Sequence, residues 1–162
     1  SLMGLLKESK NARIVNVASG AHFGAELDME DLQAEKKYKG LQVYRNSKLL
    51  NIMFTYTLAN KLNDTKGITV NCLHPGFVAS AFGHNNGFLF RNVLNIYQKL
   101  KAISVREGAK TSIYLAINPD VESVSGRYFD LCLEKRSSEI SYDENLQKNL
   151  WEKSEASVYS IN

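Results

Sequence analysis

The stretch LQVYRNSKLLNIMFTYTLANKL, Leu41–Leu62, decides the fold. No glycine or proline interrupts it, and Leu49, Ile52, Met53, Tyr56 and Leu58 or Ala59 recur at near-helical intervals, so it reads as one long amphipathic helix. Upstream, RIVNVA (Arg13–Ala18) is short, apolar and β-branched and ends at Ser19-Gly20, the pattern of a buried strand. Downstream, Asn63-Asp64-Thr65-Lys66-Gly67 ends the helix, and Ile68–Leu73 reads as a second buried strand running into His74-Pro75-Gly76. Strand, long helix, strand is a parallel crossover unit.

The flanks extend this pattern. Leu2, Met3, Leu5 and Leu6 stand at helical spacing with no convincing cap before them, as if the chain enters in the last turns of a helix, and a front portion is expected to be missing. Between the first strand and the long helix, acidic Glu26, Asp28, Glu30, Asp31 and Glu35 give way to Lys36, Lys37 and Lys39, a solvated loop with one short helix. Residues 77–103 combine loop glycines with Phe77, Phe82, Phe88, Phe90 and other large apolar groups, which suggests a lid or pocket wall, with core packing or a membrane-touching surface as alternatives. Ser104–Ile117 reads as a helix opened by Ser104 and Glu107 as a capping box and stopped by Asn118-Pro119. Arg127–Leu133 reads as a third strand, and Asp143–Val158 as a polar helix with Leu146, Leu150 and Trp151 on its inner stripe. Buried strands alternating with helices predict an α/β parallel sheet with flanking helices, which binds ligands beyond the carboxyl ends of its strands.

Composition narrows the partners. The 162 residues carry 20 Lys+Arg against 17 Asp+Glu, a net charge of +3 that excludes a polybasic nucleic-acid binder and an acidic tail protein. No run approaches the ~18 apolar residues of a membrane span, and the opening lacks the layout of a signal peptide. Cys72 and Cys132 are 60 positions apart, which suggests neither a disulfide framework nor a zinc knuckle and fits a reducing compartment. Cys72 and His74 share one side of an extended strand, but with no second ligand pair no metal site is expected. Ser19, His22 and His74 do not make a hydrolase, since Gly-x-Ser-x-Gly does not surround the serine and no acid is placed. The Asn63-Asp64-Thr65 sequon is idle in an intracellular protein.

Tyr44 and Lys48, four apart near the start of the long helix, leave the same face and can meet one ligand. A free tyrosine ionises near pH ~10, and a neighbouring ammonium favours the phenolate, so this spacing is a device for making a tyrosine an acid or base. Ser19, ending the preceding strand, is placed to hold a carbonyl oxygen beside it.

Taken in order, NVAS, YRNSK and HPGFVAS resemble the catalytic half of the short-chain dehydrogenase/reductase family. The insertion between Ser19 and Tyr44, the LHPG phrase and the NLWEKSE tail look most like its retinol-dehydrogenase-like or WW-domain-oxidoreductase-like branch. The resemblance implies a Rossmann-like fold and hydride transfer between NAD or NADP and a carbonyl or alcohol carbon. Tyr44 would be the general acid or base, Lys48 would assist it and hold the nicotinamide ribose, and Ser19 would hydrogen-bond the substrate oxygen. Pro75, Gly76 and Val78 would shape the turn against the nicotinamide, with Ser80 where the family usually has threonine. The apolar stretch Phe82–Ile103 would form a lid over a small hydrophobic substrate such as a retinoid, steroid or lipid aldehyde.

The family's Thr-Gly-x-x-x-Gly-x-Gly turn, which offers a helix amino terminus to the pyrophosphate, does not occur in these residues, and neither does its Asn-Asn-Ala-Gly segment. Gly20 and Gly24 have the wrong spacing. The expectation is therefore a single unit, residues 1–162, forming the carboxyl-terminal catalytic half of such a domain, its glycine-rich βαβ portion missing. The alternative is a truncated isoform or interaction module of the family without catalysis, an apolar-ligand carrier being a further one. A homo-oligomer is possible, and the branch implies an intracellular site, cytoplasmic or on the cytosolic face of a membrane.

Overall fold

The computed structural model describes residues 2–9, 11–78 and 103–159. In chain order these form α1 (Leu2–Glu8), β1 (Ala12–Val17), a 3-10 turn (Gly20–Gly24), α2 (Gly40–Lys61), β2 (Ile68–His74), α3 (Val105–Ile117), β3 (Tyr128–Asp130), β4 (Leu133–Lys135) and α4 (Glu144–Tyr159). The sheet runs β1-β2-β3-β4, with β1, β2 and β3 parallel and β4 antiparallel. This is the expected Rossmann-like arrangement, and no described helix is long and apolar enough to cross a membrane.

Alternation along the strands divides the core into two layers. Cys72 and Tyr128 turn toward α2 and pack with Ala18 and Ile52. Their neighbours Leu73 and Phe129 turn the other way and pack with Leu115 of α3 and Val121. Because both faces of β2 are covered, Val70, Cys72 and Leu73 are all fully buried, which is why the strand reads as a continuous apolar run. On the outer side of α2, Leu49 and Met53 meet Leu150 of α4, and Phe54 stacks on Trp151 with ring centroids 5.7 Å apart.

The ends of the elements are tied by polar groups that the sheet itself cannot satisfy. Ser104 Oγ accepts from the Glu107 amide at 3.1 Å, capping α3 as its sequence predicts. At the other end, Arg13 of β1 donates to the carbonyls of Leu115 and Asn118 at 3.2 and 2.8 Å, placing a cation on the negative end of the helix. The charged loop after the 3-10 turn is fastened to α4 by Lys153, which donates to Met29 O and Glu30 Oε1.

Two expectations change. The strand expected to be buried, β1, lies at the edge of the described sheet, with Arg13–Asn16 half-buried and Val17 exposed. The single strand over 127–133 is instead a hairpin, β3 and β4 joined by Leu131 and Cys132, both in the left-handed region with φ of 51° and 62°. Two such residues between antiparallel strands match the mirror-image turn that suits strand twist, although neither is the glycine or asparagine that normally signals it. Thr111 of α3 holds this turn by accepting from the Cys132 amide at 3.2 Å.

Buried Asn71 adds side-chain bonds beside the backbone bonds that join β2 to residues 126 and 127: its Nδ2 donates to Val124 O at 2.6 Å and its Oδ1 accepts from the Arg127 amide at 3.0 Å. Asn71→Ala leaves both backbone groups unpaired, so it is expected to lower stability by about 2–4 kcal/mol. Urea unfolding checks this, and a loss within experimental scatter contradicts it.

Candidate active site

The parallel register pairs Val17 with Leu73, and the Ala18 amide extends the ladder by donating to Leu73 O at 2.8 Å. Continued by two residues, the same register sets Ser19 beside Pro75 at the carboxyl edge of the sheet. Ser19 is half-buried in extended backbone (φ −161°), and its Oγ accepts from the Ala21 amide at 3.2 Å. That bond uses a lone pair and leaves the hydroxyl proton as a donor.

Tyr44 and Lys48 reach this edge along one stripe of α2. Thr55 Oγ1 accepts from Asn16 Nδ2 at 2.9 Å, and Asn51 donates to Val17 O at 3.4 Å, so α2 runs antiparallel to β1. Tyr44, Lys48, Asn51 and Thr55 follow one another at helical spacing on the same face. At ~1.5 Å rise per residue, Lys48 stands ~4.5 Å and Tyr44 ~10 Å beyond Asn51 along the axis. Ser19 stands ~6.6 Å beyond Val17 along the strand. The stripe therefore carries Tyr44 and Lys48 past the strand end to the level of Ser19. Lys48 Nζ lies 5.5 Å from the centroid of the Tyr44 ring, and both side chains are half-buried.

The turn after β2 forms the other wall. Gly76 adopts φ +81°, and a Cβ there would lie 2.6 Å from Ile103 Cδ1, so only glycine suits the position. Val78 forms a parallel bridge to Ile103 and packs against Gly108 of α3, where a Cβ would collide with Val78 Cγ2. Pro75, Gly76 and Val78 thus pack against Ile103 and the start of α3. Ser80 and nearly all of the apolar stretch 82–103 lie outside the described residues, as does His84.

Four further side chains build this edge: the sequence reading gave Asn46 and Asn51 no role, and weighed His22 and His74 only for hydrolase or metal chemistry. Asn46, inside the YRNSK segment, clasps the loop after Ser19 at two points: Oδ1 accepts from the Glu26 amide at 2.9 Å and Nδ2 donates to Glu26 O at 2.8 Å. Asn51 anchors the stripe itself. His22 and His74 are the other two. The His22 ring is fully buried, Nδ1 meeting Ser19 O at 2.6 Å and Nε2 accepting from the Ser138 amide at 3.1 Å. His74 lies against Gly20, and its Nδ1 is buried without a hydrogen-bond partner among the described residues.

Burial lowers both histidines below the ordinary value of about 6.5; for His22 the Ser19 hydrogen bond opposes this and His74 reinforces it, while Asp130 opposes it at His74. Cys72, packed under Ile52, is pushed up to about 12 by burial, which suits an inert core thiol. Among the described residues no group of three His, Cys, Asp or Glu is disposed to hold a metal. The arrangement offers a phenol with an adjacent cation, a serine hydroxyl and a bare glycine backbone around one edge. These suit the nicotinamide and ribose end of a dinucleotide.

A family model described as short chain dehydrogenase matches residues 1–87. Retinol dehydrogenase 14 of Mus musculus is 43% identical over 159 residues, covering 97% of this chain and 47% of its own. Polyprenol dehydrogenase of Homo sapiens is 36% identical over 158 residues, covering 94% and 48%. The chain therefore spans about half the length of the curated relatives it matches. In fold it is similar to an NADPH-bound carbonyl reductase from chicken fatty liver, with a TM-score of 0.54 at 21% identity over 84% of this chain and 49% of that one.

The two depressed histidines make stability sensitive to mild acid. Unfolding releases them to protonate near pH ~6.5, so their contribution is complete above that value and is lost as pH falls toward their lowered folded values. The urea midpoint is expected to be flat above pH ~7 and to fall over the interval that opens below pH ~6.5. A midpoint unchanged across that interval contradicts the assignment.

Proposed function

The chain belongs to the short-chain dehydrogenase family, and from that membership we propose that residues 1–162 form the carboxyl-terminal catalytic half of a nicotinamide-dependent oxidoreductase. The reaction passes a hydride between NAD or NADP and a carbonyl or alcohol carbon of a small apolar substrate. The observation that carries the proposal is the Lys48 ammonium 5.5 Å from the centre of the Tyr44 ring, on the stripe of α2 that runs past the carboxyl end of β1.

When bound, the cofactor supplies or accepts the hydride; the chain's residues handle the proton and the geometry. The Ser19 hydroxyl donates to the substrate oxygen and fixes its place at the sheet edge. In carbonyl reduction the Tyr44 hydroxyl gives its proton to that oxygen, and in alcohol oxidation the phenolate takes it back. Negative charge that appears on the Tyr44 oxygen is stabilised by Lys48, whose ammonium also donates to the ribose hydroxyls. Pro75, Gly76 and Val78 present backbone to the nicotinamide where a side chain at position 76 would meet Ile103. The family resemblance assigns Ser80 a further hydroxyl for the cofactor.

An apolar substrate is supported by the sequence of 82–103, rich in Phe, Leu, Val and Ile, and by relatives named for retinol and polyprenol, both long apolar alcohols.

In the full chain, Tyr44→Phe is expected to reduce turnover of a long-chain apolar aldehyde by ~100- to 10,000-fold. Cofactor affinity, followed by nicotinamide fluorescence, should change little. Turnover at the wild-type level in Tyr44→Phe refutes the assignment.

A further inference from the structure

His22 belongs to none of the motifs that define the proposed site, yet it is fully buried directly behind Ser19. Its two partners fix its chemistry. The Ser19 carbonyl only accepts, so Nδ1, 2.6 Å away, carries the proton. The Ser138 amide only donates, so Nε2, 3.1 Å away, carries the lone pair. The ring is a neutral bridge of one tautomer, wedged between Phe23, 4.1 Å between centroids, and the Tyr128 edge at 5.1 Å.

The far end of the bridge is itself braced. Ser141 Oγ donates to Ser138 O at 2.6 Å and lies 2.7 Å from Ser137 Oγ, which in turn lies 2.7 Å from the Tyr56 hydroxyl of α2. Segment 137–141 therefore grips two elements at once: α2, which carries Tyr44 and Lys48, and the strand exit that carries Ser19. The connection spans 116 residues of sequence between His22 and Ser138.

We propose that His22 is a positioning residue for Ser19, its neutral imidazole bridging the Ser19 carbonyl and the Ser138 amide so that the Ser19 hydroxyl is held in register with Tyr44. The proposal rests on the reading of Ser19 as the hydrogen-bond donor to the substrate oxygen. Of the titratable groups packed around the ring, His74 comes from β2 and Tyr128 from β3, with Asp130 beside His74. Arg136 and Glu139 on the bracing segment pair with each other at the surface, 2.9 Å apart.

Two substitutions separate the two bonds. An asparagine amide nitrogen falls near the place of Nδ1, so H22N keeps the donor to Ser19 and loses the bond to Ser138. A glutamine amide reaches the place of Nε2, so H22Q keeps Ser138 and releases Ser19. In the full chain, both variants should lose thermal stability to a similar degree. With an apolar aldehyde as substrate, H22N should keep kcat within ~3-fold, while H22Q loses ~10- to 100-fold in kcat with the cofactor KM little changed. A kcat loss that tracks stability alone, equal in both variants, overturns the positioning role.

Imidazole 15N spectra of the unsubstituted chain supply a readout that needs no turnover. The expected signature is the Nδ1–H tautomer, with its titration displaced below the ordinary pH ~6.5, and an Nε2–H tautomer or an ordinary titration overturns the bridge. If the unsubstituted chain turns over no aldehyde or alcohol, the reading of the site fails, while these spectra still decide whether His22 holds Ser19.

Discussion

Everything that places chemistry in this chain depends on the parallel pairing of β1 with β2, from Ala12 opposite Ile68 to Val17 opposite Leu73. A parallel pair needs a long crossover, and α2 is that crossover, so the pairing also fixes the direction in which α2 returns. Its amino-terminal turns then project beyond the strand ends, where Ser19 and Pro75 emerge side by side. A slip of one residue would turn Leu73 and Cys72 to opposite layers and move Ser19 away from Pro75. The polar contacts Asn16 to Thr55 and Asn51 to Val17 lock the helix to the strand at one height.

The parts legible in sequence are those whose signal is local. The α2 helix could be read because no breaker interrupts it and its buried positions recur at helical spacing; β2 because a strand covered on both faces becomes a short apolar run; β1 has the same apolar signature although it lies at the edge of the described sheet. The cap at Ser104 was equally plain. The hairpin at Leu131 and Cys132 was not, because two left-handed residues without glycine or asparagine look like the continuation of a strand. What stabilises them is Thr111, twenty-one positions away from Cys132.

The candidate site was legible in the same uneven way. Tyr44, Lys48 and Ser19 could be singled out from order and spacing, and the Pro75-Gly76 turn from the family resemblance. The groups that hold the edge together could not. Asn46 reads as a filler between Tyr44 and Lys48 until its two bonds to Glu26 are seen. His22 invited comparison with a hydrolase, whereas its burial and its two backbone partners make it a neutral strut. Such roles depend on contacts 20 and 116 residues apart, which composition and periodicity do not encode.

The central claim is that this edge moves a hydride and a proton to an apolar carbonyl. Its most direct measurement gives the full chain a nicotinamide cofactor deuterated at the transferable position together with a long-chain apolar aldehyde, and follows deuterium into the product by mass spectrometry. The account predicts alcohol labelled at the carbinol carbon, falling by ~100-fold or more when Lys48 is replaced by methionine. Product without label, or label unaffected by Lys48→Met, contradicts it.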